Sequence, residues 1–230
     1  MNIADSGTNQ PPSNQSDSVN QSIFIDLLLA ILILMGVLRL IVASLDSFGV
    51  DYYQFWAISR EAVSGGLEQF SDPNKDYSVE YQQYFREKYQ SLSSAEQVGA
   101  SELLRFAVEN RKVIYTTATP FFYVTCYLLS VSDYDVSLRI FQFAGIIIFC
   151  LSCFYLAKYW GHSSRASLLF LAFVIYWFEP LSADIRVTNV NQLQFAFISV
   201  YFWLISRGDS KYHILLSSLV LTLGVFFKPN

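Results

Sequence analysis

Six stretches of the chain are nearly unbroken runs of apolar residues, at 23–45, 113–132, 140–157, 166–178, 187–206 and 214–227. A helix of roughly 20 apolar residues spans the hydrocarbon core of a bilayer. The first run therefore predicts a transmembrane helix, and the others predict further spanning or re-entrant helices. Two charges interrupt the first run. Asp26 stands near its start, where it can reach the interface. Arg39 lies deeper, where a long cation snorkels outward or faces the bundle. Residues 1–21 are polar, rich in Pro, Asn and Ser, and hold no Lys or Arg. They cannot bury enough surface to fold, so they read as a disordered tail, and they lack the positive flank of a signal peptide.

Residues 46–112 break the pattern. They mix both signs of charge with many tyrosines, and their apolar positions recur at helical spacing. Phe85, Tyr89 and Leu92 form one such stripe, and Leu103, Leu104, Phe106 and Ala107 form another. Both predict short amphipathic helices lying on a membrane surface. The domain plan is thus a tail (1–21), a first transmembrane helix (22–45), a long extracytoplasmic loop (46–112) and a helical remainder (113–230).

Composition strengthens this reading. Hydrophobic residues make up 53% of the chain and charged residues 15%, against about a quarter charged in soluble domains. The fold class expected is all-α, a polytopic transmembrane helix bundle. A net charge of −4 offers no basic footprint for nucleic acid. Cys126, Cys150 and Cys153 sit inside apolar runs without acids or histidines around them, and read as small buried hydrophobes. Aromatics cluster near the ends of runs, where membrane proteins place interfacial anchors.

Short loops carry the orientation signal. Lys158 with Arg165, and Arg207 with Lys211, mark two basic loops expected on the cytoplasmic side. Residues 179–190, the acidic loop Ser132-Asp133-Tyr134-Asp135 and Lys228 then fall together on the other side. If the first helix also delivers Asp51 there, residues 113–132 start and finish on one side. Pro120 makes a re-entrant segment plausible, because a broken backbone is tolerated inside a protein interior.

Four features could carry chemistry. Asp51 follows the first helix, where a carboxylate can act as general base on an acceptor hydroxyl. Residues 117–123 set aromatics around Pro120 at the start of a segment. Residues 178–194 stop a helix at Glu179-Pro180, then crowd Asp184, Arg186, Asn189, Asn191, Gln192 and Gln194 into one approach to an apolar run. Such amides are costly unless paired, so they serve either a ligand or an interhelical clasp. The planar fork of Arg186 suits a phosphate. Lys228-Pro229 closes the last run. An acid that takes a proton and two cations that hold an anion describe group transfer from a phosphate-linked donor.

The order of these residues resembles the GT-C superfamily of polyprenyl-phosphate-sugar glycosyltransferases. The nearest likeness is glycosyltransferase family 87, the alpha-mannosyltransferase-like proteins. The likeness spans residues 23–230 and rests on Asp51, Arg186, Val190, Asn191, Lys228 and Pro229. Thr188 and Asn189 stand where the family usually has Gly and Gln, and Tyr115 and Pro120 are farther apart than in its Tyr/Pro motif. The resemblance implies an integral-membrane hexosyltransferase using a polyprenyl-phosphate sugar donor and a lipid or glycan acceptor. It places the enzyme in the bacterial plasma membrane with an extracytoplasmic site. Asp51 would be its general base, with Arg186, Asn189, Asn191, Gln192 and Lys228 binding substrate. It implies no cofactor and no tightly bound metal. It also implies more helices after Lys228-Pro229, so the chain reads as an N-terminal fragment. Two alternatives stand beside it, a transporter or flippase-like protein and a non-catalytic membrane assembly subunit.

Overall fold

A computed structural model describes residues 14–47, 49–65, 78–91, 120–130, 133–207 and 210–226. Every regular element among them is an α-helix, and none is a strand. The helices are α1 (Asn14–Leu45), α2 (Val50–Gly65), α3 (Ser78–Ser91), α4 (Pro120–Ser130), α5 (Tyr134–Tyr159), α6 (Ser164–Trp177), α7 (Glu179–Val187), α8 (Asn191–Ile205) and α9 (Lys211–Phe226).

Two of these are long and apolar enough to cross a membrane, at Asn20–Leu45 and Tyr134–Tyr159, each of 26 residues. A third crossing is possible in length if α6 and α7 act as one span, although they are bent by 64° at their junction. The bend has a local cause. Pro180 occupies the first turn of α7, where its missing N–H costs nothing but where it cannot continue α6. The Glu179-Pro180 stop expected from the sequence is therefore also the start of another helix. That helix ends at Thr188, which takes a left-handed conformation (φ 58°, ψ 58°) and returns its N–H to the Asp184 carbonyl.

Packing sets the directions. Arg165, at the start of α6, forms an ion pair of 2.6 Å with Asp26 in the first half of α1. Farther along, a Cβ placed on Gly36 would come within 2.5 Å of Ile175. So α1 and α6 run parallel, pressed together where α1 has no side chain. Arg39 donates to the Tyr176 carbonyl at 3.2 Å, and the Tyr176 hydroxyl donates to the Leu32 carbonyl at 3.2 Å. The deep cation of α1 thus finds an acceptor in the last turn of α6, where helix carbonyls lack partners.

Helices α5 and α8 run side by side in the opposite sense. Phe149 meets Phe195 at a centroid distance of 5.3 Å, and Tyr159 meets Phe202 at 5.6 Å. Leu40, Ile146, Phe149, Leu171, Ile175, Leu181 and Ile185 form the buried centre between α1, α5, α6 and α7. Helix α9 returns along α8, with Gly224 close to Phe197.

The apolar run 113–132 is described from Pro120 to Ser130. Its 11 residues rise about 16 Å at 1.5 Å per residue, well short of the roughly 30 Å core. Phe122, Tyr123 and Cys126 are buried, and Phe122 packs edge-on against Phe55 of α2 at 4.7 Å. The expected amphipathic stripe at 85–92 falls largely on α3, while the stripe at 103–107 lies outside the described residues. Helix α1 begins at Asn14, so residues 14–21, read from sequence as tail, are helical.

Candidate functional site

The two chain segments singled out for chemistry meet at one end of the bundle. Between α1 and α2, residues 46, 47 and 49 are described and form a short joint, with Gly49 in the left-handed region (φ 58°). A Cβ there would lie 2.2 Å from Leu138 Cδ1 and 3.2 Å from Thr188 Oγ1. Only glycine fits this space and this backbone at once. The joint is therefore seated directly against the turn that ends α7. Asp51 stands two residues beyond Gly49, half-buried in the first turn of α2, where a carboxylate also faces the positive end of the helix. Arg186 stands two residues before Thr188, exposed in the last turn of α7.

A polar clasp holds this junction. Arg139, half-buried on α5, donates to the carbonyls of Ser44, of Leu45 (3.0 Å) and of Ser47 (3.2 Å). It caps the end of α1, where carbonyls have no partners in the helix. It also donates to Gln142 Oε1 at 2.9 Å. Gln142 Nε2 donates to Ser47 Oγ at 2.6 Å and to Thr188 Oγ1 at 2.8 Å. Sequence reading passed over both residues, because it placed Arg139 as a flank of the run 140–157 and treated Gln142 as part of it. A usable signal was there: Arg139 and Gln142 lie three apart, on one face of a helix whose polar groups must be paired.

The predicted binding residues divide. Asn189 turns its Oδ1 onto the N–H of Val190 at 2.7 Å. Asn191 donates to Asp184 Oδ1 at 2.8 Å, tying the start of α8 back to α7. Asn191 makes an interhelical tie of the kind that sequence offered as one of two roles for these amides, while the bond of Asn189 is local. Gln192 is buried and reaches a different place, the polar end of a cavity of about 650 Å³. Phe149, Leu156, Trp160, Phe170, Val174, Phe178 and Phe195 line the apolar length of that cavity, and Asp184, Asn191 and Gln192 close one end. Trp160, Phe170 and Phe178 stay exposed, so it is a groove and not a sealed void. Lys228 lies outside the described residues.

Aromatic rings brace the other flank of Asp51. Tyr134 donates its hydroxyl to the Gly49 carbonyl at 2.9 Å, and Tyr52 shares a 2.5 Å hydrogen bond with Ser137. Tyr53, Trp56 and Tyr84 pack around Tyr134 at centroid distances of 5.1–5.5 Å. Burial pushes the Tyr52 phenol up to about 12, with the Ser137 bond opposing. Burial also raises the Tyr84 phenol, with help from Asp135 and Asp133. Among the described residues, no group of three or more His, Cys, Asp or Glu side chains gathers as metal ligands would.

A carboxylate, a guanidinium and an apolar groove thus share one end of a membrane helix bundle, and residues 116–229 match the model of glycosyltransferase family 87. Over that segment the chain is similar to family 87. No curated protein and no solved structure matches it. The family 87 segment takes in Arg186, Asn189, Asn191, Gln192 and Lys228, while Asp51 lies before it. The protein is accordingly an integral-membrane glycosyltransferase of the GT-C type, acting between a sugar donor and an acceptor.

Proposed function

We propose that this chain transfers a hexose, mannose-like, from a polyprenyl-phosphate donor to a lipid or glycan acceptor, at the extracytoplasmic face of a bacterial plasma membrane. The observation that carries the reading is the seating of the α1–α2 joint, just before Asp51, against the α7 turn that follows Arg186. In the proposed reaction Asp51 accepts the proton of the acceptor hydroxyl. The freed oxygen forms a bond to the anomeric carbon, the bond from that carbon to the phosphate oxygen breaks, and the lipid phosphate leaves. Arg186 and Lys228 offset the negative charge that grows on the phosphate, which is commonly the largest electrostatic contribution to such a step.

The groove supports a lipid-borne donor. Its volume of about 650 Å³ and aromatic, aliphatic walls suit an isoprenoid chain. Its polar end at Asp184, Asn191 and Gln192 is on α7 and α8, the elements that flank Arg186 along the chain. A donor held there would enter sideways from the bilayer, with its head near the site.

Asp51→Asn tests the reading, since it keeps the size of the side chain and removes its basicity. Transfer from a polyprenyl-phosphate sugar, followed in reconstituted membranes, should fall by about 10²–10⁴-fold, the usual worth of a general base. Helical content and thermal unfolding should match the parent protein. Full transfer by a folded Asp51→Asn protein would remove the assigned mechanism.

A further inference from the structure

A single amide in the early turns of an apolar helix needs partners, because a buried polar group without them is costly. Gln142 is 3% exposed and finds its partners on its own helix, at the α1–α2 joint and at the end of α7. Its Oε1 accepts from Arg139 at 2.9 Å. A guanidinium only donates, so this bond fixes which way the amide faces. Its Nε2 then donates to the hydroxyls of Ser47, at 2.6 Å, and Thr188, at 2.8 Å, with a longer contact of 3.3 Å to the Ile185 carbonyl. Both hydroxyls place their own protons elsewhere, Ser47 on the Ser44 carbonyl at 2.9 Å and Thr188 on the Ile185 carbonyl at 3.1 Å. A guanidinium that can only donate stands at one end and two carbonyls that can only accept stand at the other, so the network has one direction.

Ser47 precedes Asp51 by four residues, and Thr188 follows Arg186 by two. Little slack separates the amide from either charged side chain. Gly49 has no room for a Cβ, and Thr188 is held in a left-handed turn. We propose that Gln142 is the positioning residue that sets Asp51 against Arg186. It touches neither the proposed proton acceptor nor the proposed phosphate site. It acts by fixing the α1–α2 joint and the end of α7 to the same point of α5. The proposal rests on the reading of Asp51 and Arg186 given above.

Three variants of the full chain test it. Gln142→Glu keeps the length of the side chain and its bond to Arg139, but an ionised carboxylate has no proton for Ser47 or Thr188. Thr188→Val removes one acceptor and leaves α5 intact. Thr188→Ser keeps the hydroxyl. Spin labels on cysteines at Asp46 and Arg186, both exposed, report the spacing of the joint and the α7 end, with the three native cysteines changed to alanine. The distance distribution should be narrow in the parent and in Thr188→Ser, and broad in Gln142→Glu and Thr188→Val. In the unlabelled variants, which keep Arg186, transfer from a polyprenyl-phosphate sugar should lose about a hundredfold in kcat, the scale of a 1 Å misplacement, with donor KM little changed. A narrow distribution in both Gln142→Glu and Thr188→Val overturns the positioning role, whatever the kinetics. Broadening in the labelled variants, together with an unlabelled parent that transfers no sugar, would leave the positioning in place and remove the proposed function instead.

Discussion

Tyr52 shows how a single side chain near the site ties it to solution conditions. Its ring lies between Tyr134 and Phe141, at 6.0 and 4.8 Å, and only 1% of it is exposed. Burial disfavours the phenolate, which raises the phenol from 10.0 to about 12. Between those values the unfolded chain has released this proton while the folded chain still holds it. Stability from Tyr52 is therefore complete below pH 10.0 and is lost as pH climbs toward about 12. Thermal unfolding followed across that window should fall faster for the parent than for Tyr52→Phe, and identical slopes would refute the assignment. The charged residues proposed for the site, Asp51 and Arg186, stand out in the sequence because they follow or precede apolar runs. Gln142 does not, because its partners Ser47 and Thr188 are 95 and 46 positions away along the chain. An amide declares its role only once those segments meet.

At the scale of elements, α1 and α6 owe their close approach to a missing side chain. Gly36 faces Ile175 and Tyr176, with a virtual Cβ at 2.5 and 3.2 Å from their side chains. Gly36→Val should push the helices apart and disturb the bonds that Arg39 and Tyr176 make between them. Overpacking of this kind costs about 1–3 kcal/mol, and unfolding of the purified protein in detergent should show it. A Gly36→Val protein as stable as the parent would mean that the contact is dispensable. The long helices were evident in the sequence, since α1 and α5 each carry a continuous apolar run. The short ones were not. Helix α7 is nine residues long, too short for its apolar pair Leu181 and Ile185 to announce a helix, and α2 hides a full helix in what reads as loop. Both form because the bundle supplies partners: α2 packs on α4, and α7 on α1. Propensity alone rarely decides such segments.

Across the whole molecule, the helices sort their charges by end. Asp26, Arg165, Lys158 and Arg207 gather at one end, and the Asp51 joint, Asp133 and Arg186 at the other. This division was legible from the basic loops alone, because each loop joins helices that run in opposite directions. The tie between Asp26 and Arg165 was not legible, being 139 positions apart. It bears on how the protein enters its membrane. Residues 1–38 contain no Lys or Arg, so α1 brings no positive charge to the end where Asp26 sits, and its own Arg39 lies toward the opposite end. Since cations set orientation, α1 inserted alone is biased to point backwards. If the Asp26–Arg165 tie sets its direction, the first span is committed only after Arg165 has been made. A cysteine at Asn20 should react with an impermeant reagent from the same side as one at His162 in the full chain. In Arg165→Glu, part of the population should react from the other side; one-sided reaction there would show that α1 orients itself.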